Sequence, residues 1–190
     1  MATGALDANG IWQYGEDDSE TTASALLNKL GESTSEQVGI LQTNLKVINV
    51  YSAKATTTQS ATLAANTFND FTGASITLTP QSSGSKFLIL SSAYIANSQA
   101  TFRSLNSVRC LRGATTLYTV TNEYTSSDST RGLYTISSQH LDSPSTTSSI
   151  TYKMQGAHSV GGATPTVYFN RSQDNTSIGY TSITILEIQG

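Results

Sequence analysis

The sequence predicts a mainly β protein: an antiparallel, jelly-roll-like β-sandwich preceded by a short N-terminal anchor and a helical stalk. Three observations predict it. Ser and Thr make up about 30% of the chain, well above ordinary usage, while charged residues are only 12%. Nine Tyr and five Phe accompany a net charge of −3, unlike the aromatic-poor, highly charged makeup of disordered chains. From residue 46 onward, short alternating polar and apolar runs recur between Gly, Ser, Asn, Asp and Pro loops, the period of half-buried strands.

Residues 1–20 are too short to build a core, yet they hold the single Trp of the chain within Asn9-Gly10-Ile11-Trp12-Gln13-Tyr14. Ile11, Trp12 and Tyr14 must therefore pack back on their own protein or dock on another, and aromatics are the usual anchors in docking. The acidic run Glu16-Asp17-Asp18 with Glu20 lacks the ligand spacing of a calcium loop. It complements the dipole at the start of a helix instead.

Residues 21–45 read as a short helical oligomerisation stalk. Leu27, Leu30, Thr34, Val38, Leu41, Leu45 and Ile48 are spaced by three or four residues, a stripe close to the coiled-coil period. Gly31 and Gly39 each cost such a helix about 1 kcal/mol relative to Ala. A helix this short is marginal alone, so Leu27, Leu30, Val38, Leu41 and Leu45 are expected to pack on partners: sister copies or the β-domain. Ser33 with Glu36 has the form of a capping box that would split the stripe in two.

Residues 46–190 form the expected sandwich. Strands are predicted at 46–51, 75–79, 86–90, 107–112, 115–120, 132–138, 149–155, 166–171 and 182–188. Arg112-Gly113-Ala114-Thr115 reads as a tight hairpin. Pro80 and Gly84 bracket a turn. Eight or more short strands with no helical period between them predict an antiparallel sandwich of the jelly-roll kind.

The chemistry of enzymes is poorly represented. The chain has two His, His140 and His158, and no Gly-x-Ser-x-Gly elbow. Asp70, Asp128, Asp142 and Asp174 sit in loop-like contexts where Asp serves turns, alongside Glu123 and Glu187. Glycan cleavage by a carboxylate pair is the enzyme class worth naming, and turn chemistry outweighs it. The expectation is no enzyme, no cofactor and no metal site. Cys110 is alone, which excludes a disulfide within one chain, and its apolar neighbours predict a buried, inert thiol. The ten basic residues form no stripe, against a nucleic-acid partner held by phosphate neutralisation. No run approaches the roughly 20 apolar residues of a membrane helix, and the N-terminus lacks the pattern of a signal peptide.

The segment from Asn9 to Asp18, followed by Ser24-Ala25-Leu26-Leu27-Asn28-Lys29-Leu30-Gly31, resembles the N-terminal segment of tailed-bacteriophage fibre and minor tail proteins. Thr77 to Leu90 is similar to a strand-turn-strand of phage fibre heads. So are Leu141-Asp142-Ser143-Pro144 leading to Thr151-Tyr152-Lys153, Val167-Tyr168-Phe169-Asn170-Arg171, and Ser182 to Ile188. The resemblance covers most of the chain. It implies a virion structural protein with a jelly-roll head at 46–190, often trimeric, attached to another virion protein (tail, baseplate, adaptor or capsid) through residues 1–20. It implies that Ile11, Trp12 and Tyr14 serve attachment and that the stalk leucines pack about a three-fold axis. The protein would be made in the host cytoplasm and lie on the virion surface. Loops 121–131 and 171–180 would meet a host glycan or protein. The stalk has room for only a few turns, which favours a short tail fibre; a capsid decoration or cement protein is the alternative, and a glycan-degrading enzyme or a free lectin-like module are further ones.

Overall fold

A computed structural model of the chain describes residues 5–6, 12–13, 46–98, 104–124, 133–159 and 164–190. The chain divides into two compact units, Met1–Lys46 and Val47–Gly190. In the first, β1 (Ala5–Leu6) pairs antiparallel with β2 (Trp12–Gln13), Leu6 opposite Trp12. The expected stalk, with Leu27, Leu30, Val38, Leu41 and Leu45, lies outside the described residues, as do Ile11 and Tyr14.

The second unit is built from β3 (Val47–Ala55), β4 (Gln59–Thr62), β5 (Asn69–Leu78), β6 (Lys86–Asn97), β7 (Ser104–Arg112), β8 (Thr115–Tyr124), β9 (Tyr134–Asp142), β10 (Ile150–His158), β11 (Thr166–Phe169) and β12 (Thr181–Ile188). All pairings are antiparallel. One sheet has the order β5-β10-β7-β8. In the other, β6 holds β9 on one edge and both β12 and β11 on the opposite edge: Ser182 faces Ser92, and three residues further along β6 Phe169 faces Ile95. β12 pairs with β3 as β11 pairs with β4. Thus β11 and β12 are one line interrupted by residues 170–180, and β3 and β4 one line interrupted at 56–58. Counted so, eight strands form two sheets of order 1-8-3-6 and 2-7-4-5, the strand order of a jelly roll.

Alternation explains the core. Phe87, Ile89 and Ile95 of β6, Ile183 and Ile185 of β12, Tyr152 and Met154 of β10, and Val108 and Cys110 of β7 all point between the sheets and are buried. Phe71 meets Phe169 edge to face, with ring centroids 4.9 Å apart and planes at 82°. Gly156 of β10 leaves room for this pair. A methyl there would stand 2.8 Å from Ile95 and 2.9 Å from Phe169, closer than packed carbons approach.

Several expectations change in detail. β5 begins at Asn69 rather than Ser75, because a bulge at Gly73, whose φ is +95°, breaks the alternation the sequence shows. β4 carries no large apolar side chain and gives no periodic signal. Asp70 and Asp142 are strand residues, not loop residues. Asp142 is buried and receives two hydrogen bonds from Arg112 Nη1, at 2.7 and 2.8 Å, and one from Tyr152 Oη at 2.7 Å, so it pins β9 of one sheet to β7 and β10 of the other. The hairpin at Gly113-Ala114 is as expected, with Gly113 at φ +58°. Cys110 is buried, and burial pushes its thiol up to about 12.

Candidate functional site: the outer face of β3, β12, β6 and β9

Residues two apart along a strand share a face, so register alone composes the outer surface of this sheet. One row across the four strands is Val50, Leu186, Leu88, Leu141. The next is Ser52, Thr184, Leu90, Gln139, and the next Lys54, Ser182, Ser92, Ser137. Beyond it Tyr94 faces Thr135. The surface therefore grades from aliphatic through hydroxyl-bearing to aromatic and cationic. In the aliphatic row Val50 is 63% exposed and Leu141 53%.

The middle rows form a shallow trough of about 550 Å³ lined by Leu90, Ser92, Ser137, Gln139, Ser182 and Thr184. Its hydroxyls contact across strands: Ser137 Oγ donates to Ser92 Oγ at 3.3 Å, and Ser52 Oγ lies 3.2 Å from Thr184 Oγ1. At the polar end the Tyr94 and Tyr180 rings lie 5.9 Å apart at 32°, and Lys54 Nζ stands 3.9 Å from the Tyr180 centroid.

The loop 170–180 places Tyr180 there. Asn170 sits at the break between β11 and β12 with φ +60°. Its side-chain amide donates to Ala55 O and Thr57 O, both at 3.0 Å, and its side-chain carbonyl accepts from Thr181 Oγ1 at 2.8 Å. Its backbone N–H donates to Tyr94 O, and its own carbonyl accepts from Gly179 N. Asp174 Oδ1 accepts from Ser172 Oγ, Thr176 N and Thr176 Oγ1, an Asx-type turn. Arg171 stacks over Tyr168, with its Cζ 4.4 Å from the ring centroid. Gly179 lies directly against Tyr94; any side chain there would overlap the ring. The loop is thus held by its own polar groups and exposes Ile178 and Tyr180.

Electrostatics set this face apart. Among the described residues, its outward positions carry Lys54 and Lys86 and no carboxylate, although the whole chain bears −3. The two acids of these strands, Asp142 and Glu187, point inward, and Asp174 lies exposed in the bordering loop 170–180. Glu187 is fully buried and accepts from Gln81 N at 2.7 Å, Asn49 Nδ2 at 2.8 Å and Tyr51 Oη at 3.4 Å. Burial pushes its carboxyl upward, but hydrogen bonds from Asn49, Gln81, Ser85 and Tyr51 outweigh that and hold it below the usual value. The outer face of the other sheet differs. There Asp70 takes a contact from Lys153 at 3.1 Å and a hydrogen bond from Gln155, which in turn accepts from Arg109, so its cations have an acid beside them.

The residues singled out from sequence fall as follows. His158 is buried at the end of β10, its Nε2 2.7 Å from Leu63 O. His140 faces inward beside Tyr118, centroids 5.6 Å apart. Neither lines the outer face. Loop 171–180 does border it; of 121–131, residues 121–124 belong to β8 and the rest lie outside the described residues. Trp12 is described only through the backbone of β2. Sequence reasoning missed Lys54, Tyr94 and the row structure. The polar i, i+2 pairs Ser182/Thr184 and Ser137/Gln139 were visible, but only long-range register sets them side by side.

No protein-family model matches the chain, and no curated protein matches it in sequence. Among solved structures, the protein of the T13 infectious bursal disease virus particle aligns with a TM-score of 0.42 at 10% identity, over 76% of this chain and 38% of that one. The D431N mutant VP2 protein of the same virus gives 0.40 at 12% identity, over 73% and 36%. An arabinose-bound α-L-arabinofuranosidase gives 0.38 at 11% identity, over 75% and 23%. The chain thus spans well under half the length of these proteins. Viral and enzymatic chains stand side by side among them at TM-scores below 0.5, so the jelly-roll assignment rests on the strand order of the chain itself.

Proposed function

We propose that this chain is a structural protein of a virus particle, and more narrowly a trimeric short tail fibre or tail appendage of a tailed phage. Residues 1–20, with Ile11, Trp12 and Tyr14, attach it to another virion protein. Residues 21–45 join the copies through Leu27, Leu30, Val38, Leu41 and Leu45, and the jelly-roll head presents the β3–β12–β6–β9 face. The protein acts by contact, not by turnover. The observation that carries this reading is the row Val50, Leu186, Leu88, Leu141, aliphatic across all four strands and open to solvent at both ends. Contiguous apolar surface of this kind marks contact with a neighbour. The resemblance in sequence is to virion proteins and is weakly specific for position on the particle; the part of it that favours the tail is the likeness of Asn9 to Asp18 and Ser24 to Gly31 to the N-terminal segment of fibre and minor tail proteins.

Electron microscopy of purified particles with gold-labelled antibodies against the head tests the reading. Label on the tail is the expected result. Label spread over the shell overturns the fibre in favour of a decoration protein, and particles without label overturn both.

A further inference from the structure

We infer that the free edge of β9 accepts an extended segment of another protein as an added strand, with an aliphatic side chain of that segment lying beside Leu141. The inference uses the aliphatic row of the virion reading but not the tail placement. It concerns what the purified chain binds, so its test and the antibody labelling fail independently.

A strand at the edge of a sheet presents unpaired N–H and C=O groups, and proteins blunt such edges with bulges, charged side chains or short length. Of the five edge strands among the described residues, four are blunted in this way. β3 has a bulge at Ile48, skipped between the pairs Asn49–Glu187 and Val47–Ile188, and turns Lys54 outward. β5 is bulged at Gly73 and carries Asp70. β8 is bulged at Leu117, skipped between the pairs Tyr118–Cys110 and Thr116–Leu111, and carries Glu123. β4 is only 4 residues long.

β9 has none of these devices. Among the described strands it pairs with β6 alone, without a register shift from Phe87–Asp142 to Ile95–Tyr134. It holds no Lys, Arg, Pro or Gly. Its carboxylate, Asp142, is turned inward to Arg112 and Tyr152. Its outward side chains Thr135, Ser137, Gln139 and Leu141 are exposed and uncharged. β8 approaches it from the facing sheet but shares no ladder with it. An edge left in this state suits strand addition, in which main-chain hydrogen bonds supply affinity and alternate side chains supply specificity.

The rows of the sheet define the occupant. The row Val50, Leu186, Leu88, Leu141 runs to this edge and stops there with Leu141 exposed. An added strand continues each row. Its side chain beside Leu141 is therefore aliphatic, and those beside Gln139 and Ser137 are apolar or hydroxyl-bearing. β6 presents this pattern on the other side of β9, where Leu88, Leu90 and Ser92 face Leu141, Gln139 and Ser137. A second copy fits less well. Full antiparallel overlap of β9 with its copy puts Leu141 opposite Thr135, and pairing Leu141 with itself leaves only His140–Asp142 overlapped.

The full chain is tested by fluorescence anisotropy with a labelled peptide copying β6, Lys86–Asn97, and with a scrambled peptide of the same composition. Binding of the first and not of the second is expected. Leu141→Ser should weaken it about fivefold, the scale of one good cross-strand pair. Val50→Ser, the same kind of change at the far end of the row, should leave it unchanged. Both residues are exposed, and unshifted thermal melts confirm that the variants are folded. Two further peptides carry backbone N-methyl groups on alternate residues, one set along each edge. Only one edge of the peptide meets β9, so one of the two should bind and the other should not. With the unmethylated peptide bound, amide hydrogen exchange should slow in Tyr134–Asp142 and in no other edge strand. No binding, or equal binding of the scrambled peptide, overturns the inference. So does equal behaviour of the two methylated peptides, equal weakening by Leu141→Ser and Val50→Ser, or slowed exchange at β3, β5 or β8 in place of β9. Protection of every β9 amide in the free chain also overturns it, in favour of a second copy already paired there.

Discussion

Glu187→Gln tests how the head holds a buried charge with no cation beside it among the described residues. The carboxylate lies on β12 and collects donors from β3, through Asn49 and Tyr51, and from the β5–β6 connection, through Gln81 N. It therefore ties that connection to an outer strand of the sheet. Glutamine keeps one acceptor oxygen but turns an NH2 group toward a donor. One of the two short bonds, at 2.7 and 2.8 Å, is replaced by two facing donors in a buried site. Hydrogen bonds to charged groups contribute about 1.5–3 kcal/mol each, and an unsatisfied buried donor costs a similar amount. The expected loss is about 2–3 kcal/mol. With a urea slope near 2 kcal/mol/M, ordinary for a small domain, the unfolding midpoint falls by about 1–1.5 M. The pH dependence has a definite sign. The folded carboxyl is held below its ordinary value of 4.5, so its contribution is fully present above that value and is lost as pH falls through the folded pKa. Glutamine does not titrate. The gap between the two proteins should be widest near neutral pH and narrow as pH drops below about 4. A variant as stable as the parent at neutral pH, or a gap of the same size down to about pH 3, would refute the reasoning.

Gly156→Ala should destabilise the head by about 1–3 kcal/mol through overpacking against Ile95, Phe169 and Phe71; urea unfolding measures it, and an unchanged midpoint contradicts the packing. Asn170→Ala should cost about 3 kcal/mol or more, since it removes three side-chain hydrogen bonds and puts alanine at φ +60°. Asn170→Gly, which relieves only the backbone part, should recover about 1 kcal/mol of that loss in the same assay; no difference between the two variants removes the case for a strained φ. The Cys110 thiol, pushed up to about 12 chiefly by burial, should react with a disulfide reagent at pH 8 only as fast as the protein unfolds, and prompt reaction in the native state would place it at the surface.

How legible this protein is from sequence depends on whether a feature is local. Alternation in Ser182–Ile188 and Ser75–Thr79 announces strands, and Gly113-Ala114 announces a hairpin, because period and turn chemistry act within a few residues. The burial of Cys110 follows from its apolar neighbours in the same way. Asp142 misleads because its partners, Arg112 and Tyr152, come from other strands; an Asp before Ser143-Pro144 looks like turn chemistry until the sheets are stacked. β4 stays hidden because Gln59–Thr62 has small and polar side chains and pairs with a strand more than a hundred residues away. The outer face is the extreme case. Val50, Leu88, Leu141 and Leu186 are unremarkable residues in four separate strands, and only the register turns them into one apolar row. Residues 171–180 were readable as a loop from their composition, while the placement of Lys54 and Tyr94 beside it was not.

The most direct test is the mass of the purified full chain in solution, measured by light scattering across a dilution series. If residues 21–45 join the copies through Leu27, Leu30, Val38, Leu41 and Leu45, the particle should weigh three chains and keep that mass on dilution. A monodisperse single chain at every concentration would contradict the assembly role.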